Sequence, residues 1–142
     1  SAAAEYSKRI SGYANIEIVE LKESKLPSNP SEADENSVLI REGQNILSKI
    51  KESDHVIAME VEGEQIDSIE LAKKIQCAFD TKSSTIDFVI GGSLGLSDEV
   101  KKRADYGLSF SKMTFPHQMA RIMLLEQIYR AFKINSGETY HK

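Results

Sequence analysis

Residues Thr85 to Ile90 read TIDFVI, and Gly91, Gly92, Ser93 and Gly95 follow at once. A near-continuous apolar run of strand length is expected where helices cover both faces of a sheet. The flanking segments agree with that demand. Ala2 to Ile10 predicts a helix ended by Ser11–Gly12, since glycine tolerates the left-handed cap. Asn15 to Leu21 (NIEIVEL) places Ile16 and Ile18 around Glu17 and predicts a strand. Leu26 to Pro30 holds two prolines and must be a loop. Ser31 then caps a long helix reaching about Ile50, with Glu32, Asp34 and Glu35 favoured in its first turn and Gly43 weakening its middle. Asp54 to Val61 predicts a strand with a turn at Gly63, and Ser68 caps a helix whose Ile69, Ala72, Ile75 and Phe79 keep helical spacing. Ser97 caps a short helix carrying Lys101, Lys102 and Arg103, Leu108 to Phe110 predicts a last strand, and Pro116 opens a final helix ending near Ile134. Strands alternating with helices predict a parallel sheet with both faces covered, here with four strands.

A chain of 142 residues suits one domain with a real core. No apolar run reaches 18 residues, so no membrane partner is expected. The opening SAAAEYSKRI begins with Ser and lacks the charged and apolar regions of a signal peptide. One cysteine, Cys77 between Ile75 and Phe79, excludes an internal disulfide and is expected as core filler in a cytoplasmic protein. His55, His117 and His141 form no His-x-x-x-His pair, so no metal is expected, and His55 reads as structural or exposed. The net charge of −4 argues against a general nucleic-acid coat. Residues 1–100 nevertheless carry 10 Lys/Arg against 19 Asp/Glu, whereas residues 101–142 carry 8 against 3. A basic C-terminal third on an acidic body fits a local anionic target.

Chemistry concentrates in two places. The glycine-rich strand end IGGSLG lets a ligand approach the backbone, and open α/β sheets bind ligands at the carboxyl ends of their strands. It fits neither the dinucleotide fingerprint nor the P-loop. The second place is Tyr106 to Arg121 (YGLSFSKMTFPHQMAR), where Ser111, Lys112 and Thr114 are interleaved with Met113 and Phe115 before a helix start that presents free N–H groups. The final helix is apolar nearly all round, with Met119, Ile122, Met123, Leu124, Leu125 and Ile128 among its residues, which predicts a homodimer. The tail from Gly137 carries Tyr140 and His141 together, so it either docks on the protein or meets a substrate.

FVIGGSLGL at 88–96, LSFSKMTFPHQMAR at 108–121, EQIYRAFKI at 126–134 and the terminal YHK resemble the RlmH family, bacterial ribosomal RNA large subunit methyltransferases of the SPOUT superfamily. The resemblance runs in register from about Ala3 to Lys142. It departs at the front, where the family opens with a short strand and this chain starts inside the first helix. The resemblance implies a single SPOUT domain over 1–142 without that first strand, a C-terminal trefoil knot in an α/β sheet, and an obligate homodimer. Knots are rare enough that no periodicity rule proposes one. It further implies S-adenosylmethionine bound by Met59, Gly91 and the loop Phe110, Ser111, Lys112, Met113, Thr114 and Phe115. The implied reaction methylates N3 of a pseudouridine in 23S ribosomal RNA on the assembled ribosome, with Tyr140 and His141 at the target base, from either protomer, and His117 and Arg121 as helpers. Lys101, Lys102, Arg103, Arg130, Lys133 and Lys142 would meet phosphates. On the residues alone two rivals stay open: a catalytically silent nucleotide-binding module, and a structural dimer bridging ribosomal parts.

Overall fold

A computed structural model describes residues 1–81 and 83–138. The elements in chain order are α1 (Ala2–Ile10), α2 (Glu32–Lys49), β1 (His55–Glu64), α3 (Ser68–Thr81), β2 (Ile86–Val89), α4 (Asp98–Arg103), β3 (Tyr106–Leu108) and α5 (His117–Asn135). The sheet has the order β2-β1-β3, and both pairings are parallel. The expected parallel α/β sheet is therefore present, with β1 central.

Period-two alternation along β1 assigns its two faces. Val56 and Ala58 pack with Val89, Leu96 and Val100 beneath α2 and α4. Ile57 points the other way, into Leu71, Ala72, Ile75 and Ala131 of α3 and α5. A further cluster joins Ile10 of α1 to Leu124, Leu125, Ile128 and Tyr129. Burying each large aliphatic side chain of this kind contributes about 1.5–3 kcal/mol. Ser31 and Asp34 form a reciprocal capping box at the start of α2. Gly43 has a use that helix propensity does not reveal. A Cβ there would collide with the Ser97 side chain, so its absence lets α2 close on the start of α4.

Four expectations are corrected. Residues 15–21 form no strand. A strand needs a neighbour to take its N–H and C=O groups, and this segment pairs with none of the three described strands; Ile18 and Val19 remain exposed. The last strand is Tyr106–Leu108, two residues earlier than expected, and the Ser109 hydroxyl just beyond it bonds forward to the Ser111 carbonyl. Gly63 is no turn: β1 continues through it to Glu64 beside Gly107, after a register shift beyond Met59. Cys77 is exposed, its sulfur 3.7 Å from the Thr81 hydroxyl, because it lies on the outer side of α3 from Ala72 and Ile75. At smaller scale, Asp67 rather than Ser68 caps α3, accepting the Glu70 N–H at 2.7 Å. Pro116 is the cap of α5 and His117 its first residue.

The N-terminal end of the sheet holds a polar cluster. One nitrogen of Arg103 donates to the carbonyls of Lys51, Glu52 and Asp54 at 3.0, 3.3 and 2.9 Å. Asp105 accepts from Arg103 at 3.3 Å and from the Val56 N–H at 2.8 Å, with buried His55 3.6 Å away. Burial pushes the Asp105 carboxyl up, but the Val56 hydrogen bond and the His55 and Arg103 charges leave it below the usual carboxylate range. Asp87 on β2 is pushed up to about 7 by burial and by the adjoining Asp54 carboxyl, whose own value is lowered chiefly by its interaction with Asp87.

Candidate active site

The site residues come together because their strands are adjacent. Met59 of β1 pairs with Leu108 of β3, and Ala58 pairs with Val89 of β2. Neighbouring strands lie about 4.8 Å apart. Met59, midway along β1, therefore lies between the carboxyl ends of β2 and β3, which lead into Gly91 and the loop 109–116. The glycine turn is closed by a bridge between Gly92 and Gly95. A Cβ on Gly91 would lie 2.5 Å from the Gly95 carbonyl oxygen, so this turn requires glycine.

The loop after β3 holds itself in shape. The Ser109 hydroxyl donates to the Ser111 carbonyl at 2.9 Å, and the Ser111 hydroxyl accepts the Met113 N–H at 3.0 Å. Ser109 is buried and its N–H bonds the Glu64 carbonyl at 2.9 Å, tying the loop to the end of β1. Phe110 is half-buried against the α1–α5 cluster. Lys112 and Thr114 are exposed, as is Met113 at 72 % and Phe115 at 37 %. Met119, on the first turn of α5, adds another exposed apolar side chain at 51 %. These open apolar groups lie beside the N–H groups of a helix start that has no side-chain cap.

Two carboxylates border the glycine turn that sequence patterns did not single out. Glu23 would lie 2.8 Å from a Cβ on Gly92, and Glu42 accepts the Ser24 N–H at 3.0 Å beside it. Glu42 sits on α2, far along the chain, so no spacing rule connects it to Gly92. A site bordered by these groups suits a cationic donor better than a polyphosphate.

The helpers divide. His117 is exposed at the start of α5, next to the loop. Arg121 is held by Glu20 at 2.7 Å, from the extended segment that was expected as a strand. Tyr140 and His141 lie outside the described residues, as does Lys142. Within the basic third, Arg103 pairs with Asp105, Arg130 with Glu126 at 2.9 Å, and Lys133 with Glu138, which uses its three acidic residues and leaves its excess of five basic ones. Arg103 is thereby a clamp on the N-terminal end of β1, at the opposite end of the sheet from the loop. Lys101 and Lys102 stay exposed on α4. Burial and the 3.0 Å hydrogen bond to Glu64 push the Tyr106 phenol up to about 12, so it stays protonated at neutral pH. Among the described residues no group of His, Cys, Asp and Glu is arranged to hold a metal, and no helix is long and apolar enough to cross a membrane.

Comparison with known proteins gives one consistent result. The family model described as "Predicted SPOUT methyltransferase" matches residues 1–141. The ribosomal RNA large subunit methyltransferase H 1 of Clostridium perfringens is 57% identical over 141 residues, covering 99% of this chain and 89% of that one. The ribosomal RNA large subunit methyltransferase H of Bacillus cytotoxicus is 55% identical over 139 residues, covering 98% and 87%. That of Clostridioides difficile is 53% identical over 138 residues, covering 97% and 87%. A parallel sheet whose strand ends gather the glycine turn and the 109–116 loop, in a chain similar to these proteins over nearly its whole length, belongs to the SPOUT methyltransferase family and, within it, to the ribosomal RNA large subunit methyltransferase H group.

Proposed function

We propose that this chain is an S-adenosylmethionine-dependent methyltransferase acting on N3 of a pseudouridine in 23S ribosomal RNA, in the cytoplasm and on the assembled ribosome. The observation that carries the proposal is that Met59, midway along β1, lies between the carboxyl ends of β2 and β3, which lead into Gly91 and residues 110–115. The knot that family membership implies would be built from these same loops. The cofactor would supply an electrophilic methyl group on sulfur. The chain's part is to bind and align it: Gly91 for close backbone approach, Phe110, Met113 and Phe115 as apolar walls, and loop backbone groups as hydrogen-bond partners. Glu23 and Glu42 beside the turn favour a sulfonium over ATP, which weighs against the silent nucleotide module. The target nitrogen must lose its proton as it attacks, and among the described residues His117 is the nearest group to the loop by chain position able to assist.

The exposed face of Met113, Phe115 and Met119 supports a homodimer. The ends of α5 favour one arrangement of that dimer. Its 19 residues span about 28 Å. Glu138 is fixed at the far end by bonds to the Lys133 carbonyl and the Tyr13 hydroxyl. The described chain ends there, remote from His117, which favours Tyr140 and His141 serving the partner's site.

Calorimetry against S-adenosylmethionine and ATP, followed by transfer of labelled methyl groups to ribosomes that lack the modification, tests the proposal. Binding of S-adenosylmethionine with label in ribosomal RNA is expected. Preference for ATP, or cofactor binding without transfer, would overturn it in favour of a rival.

A further inference from the structure

A cavity of about 530 Å³ opens beside the loop, between α3, β3 and α5. Its walls are mainly apolar, from Ile66, Leu71, Leu108, Phe110, Ile122 and Met123. Phe110 belongs both to this cavity and to the loop assigned to the cofactor. The polar part of the lining is a connected chain. The Ser68 hydroxyl donates to the Gln127 amide oxygen at 2.6 Å, and the Gln127 amide nitrogen donates to Glu126 at 2.9 Å. Glu126 in turn is held by the Arg130 guanidinium at 2.9 and 3.2 Å. Asp67 commits one oxygen to the Glu70 N–H at the start of α3. One Gln127 N–H and the second Asp67 oxygen then have no protein partner among the described residues.

We infer that this cavity receives the target base, turned out of the RNA. The inference rests on the methyltransferase reading above. A base must leave its stack before an enzyme can work on one of its ring atoms, and pockets for such bases combine apolar or aromatic planes with a few edge contacts. The volume and lining lie within the ordinary range for small-ligand sites, about 300–1,000 Å³ and mostly apolar. With Glu126 paired to Arg130, the Asp67 carboxylate in the lining disfavours a phosphate but tolerates a neutral base. An unspent donor and an unspent acceptor in the same lining suit a C=O and an N–H of a uracil-type base. Ser68 and Arg130 act as positioning residues, since each holds the next member of the chain in one orientation.

Filling the cavity separates base binding from cofactor binding. Met123→Trp in the full chain should keep S-adenosylmethionine affinity within about twofold and keep the oligomeric mass of the parent protein. Its kcat for methyl transfer to ribosomes should fall at least 100-fold, with little change in KM. Gln127→Leu, which removes the donor without filling space, should lower kcat about tenfold or more while sparing cofactor affinity. A parent chain that transfers no methyl would sink the underlying methyltransferase reading instead. With an active parent, undiminished kcat in Met123→Trp would overturn the base pocket, and so would loss of the dimer, because a second copy would then fill the space. If Met123→Trp does not fold, Gln127→Leu decides: a kcat equal to the parent's overturns the inference.

Discussion

The Tyr13 hydroxyl donates to the Glu138 carboxylate across 2.8 Å, and this bond fixes where the last residues of the chain begin. Lys133 holds the same carboxylate from the other side, and Tyr13 itself stacks on Phe132 with ring centroids 5.7 Å apart. The Lys133 ammonium is raised, and the Glu138 carboxyl lowered, chiefly by their mutual hydrogen bond. The tail is thus anchored at the end of α5 remote from the loop. Mixed dimers test the consequence. One protomer carries Tyr140→Phe with His141→Ala and the other carries Gly91→Trp. A tail acting on the partner leaves one complete site, so about half the parent activity is expected; a tail acting at its own site leaves none.

Gly91 is where the cofactor reading meets the backbone most directly. Gly91→Ala places a methyl against the Gly95 carbonyl within a turn that has no slack. We expect at least a tenfold loss of S-adenosylmethionine affinity by calorimetry, equivalent to about 1.4 kcal/mol, with the circular dichroism spectrum of the parent. Unchanged affinity would remove Gly91 from the site.

Arg103 is a structural cation, unlike its neighbours. Arg103→Ala strips hydrogen bonds from three carbonyls and from Asp105. Bonds from charged donors are worth about 1.5–3 kcal/mol each before relaxation, so a loss of about 2–4 kcal/mol in urea unfolding is expected. Lys101→Ala and Lys102→Ala, both exposed, should stay within about 0.5 kcal/mol of the parent. Equal effects at all three positions would contradict the clamp.

The Asp54–Asp87 pair makes stability depend on pH. Asp87 titrates higher in the folded chain, at about 7, than its ordinary 3.8. Its contribution is therefore fully present below about pH 4 and is lost as pH rises towards 7. Asp54 has the opposite sign, contributing above the ordinary carboxylate value and losing that contribution in acid. Between pH 6 and 8 the Asp87 effect dominates, so Tm should fall over that interval. Asp87→Asn should flatten the profile and raise Tm at pH 8. A parent Tm independent of pH from 6 to 8 would show that Asp87 is ionised throughout.

Much of the fold was legible because its signals are local. The capping box of Ser31 and Asp34, the apolar β2 between turns, and the Ser97 cap each depend on residues within a few positions. What failed was non-local. NIEIVEL has strand chemistry, but strand formation depends on a neighbour, and this segment pairs with none of the described strands. Lys101 to Arg103 look alike as a basic triplet, and only the fold distinguishes a clamp from two solvated lysines. In the candidate site, the glycine turn at Gly91 and the 110–115 loop stand out in the sequence as motifs. Glu42, Ser68 and Gln127 were not, since each joins its neighbours only through the packing of α2, α3 and α5.

The most direct measurement is nucleoside mass analysis of 23S ribosomal RNA after ribosomes lacking the modification are incubated with this chain and methyl-labelled S-adenosylmethionine. One labelled methyl on a single pseudouridine per ribosome is expected, abolished by Gly91→Trp. Labelled cofactor bound by the protein with no label in the RNA, or label on a different nucleoside, would contradict the proposed reaction.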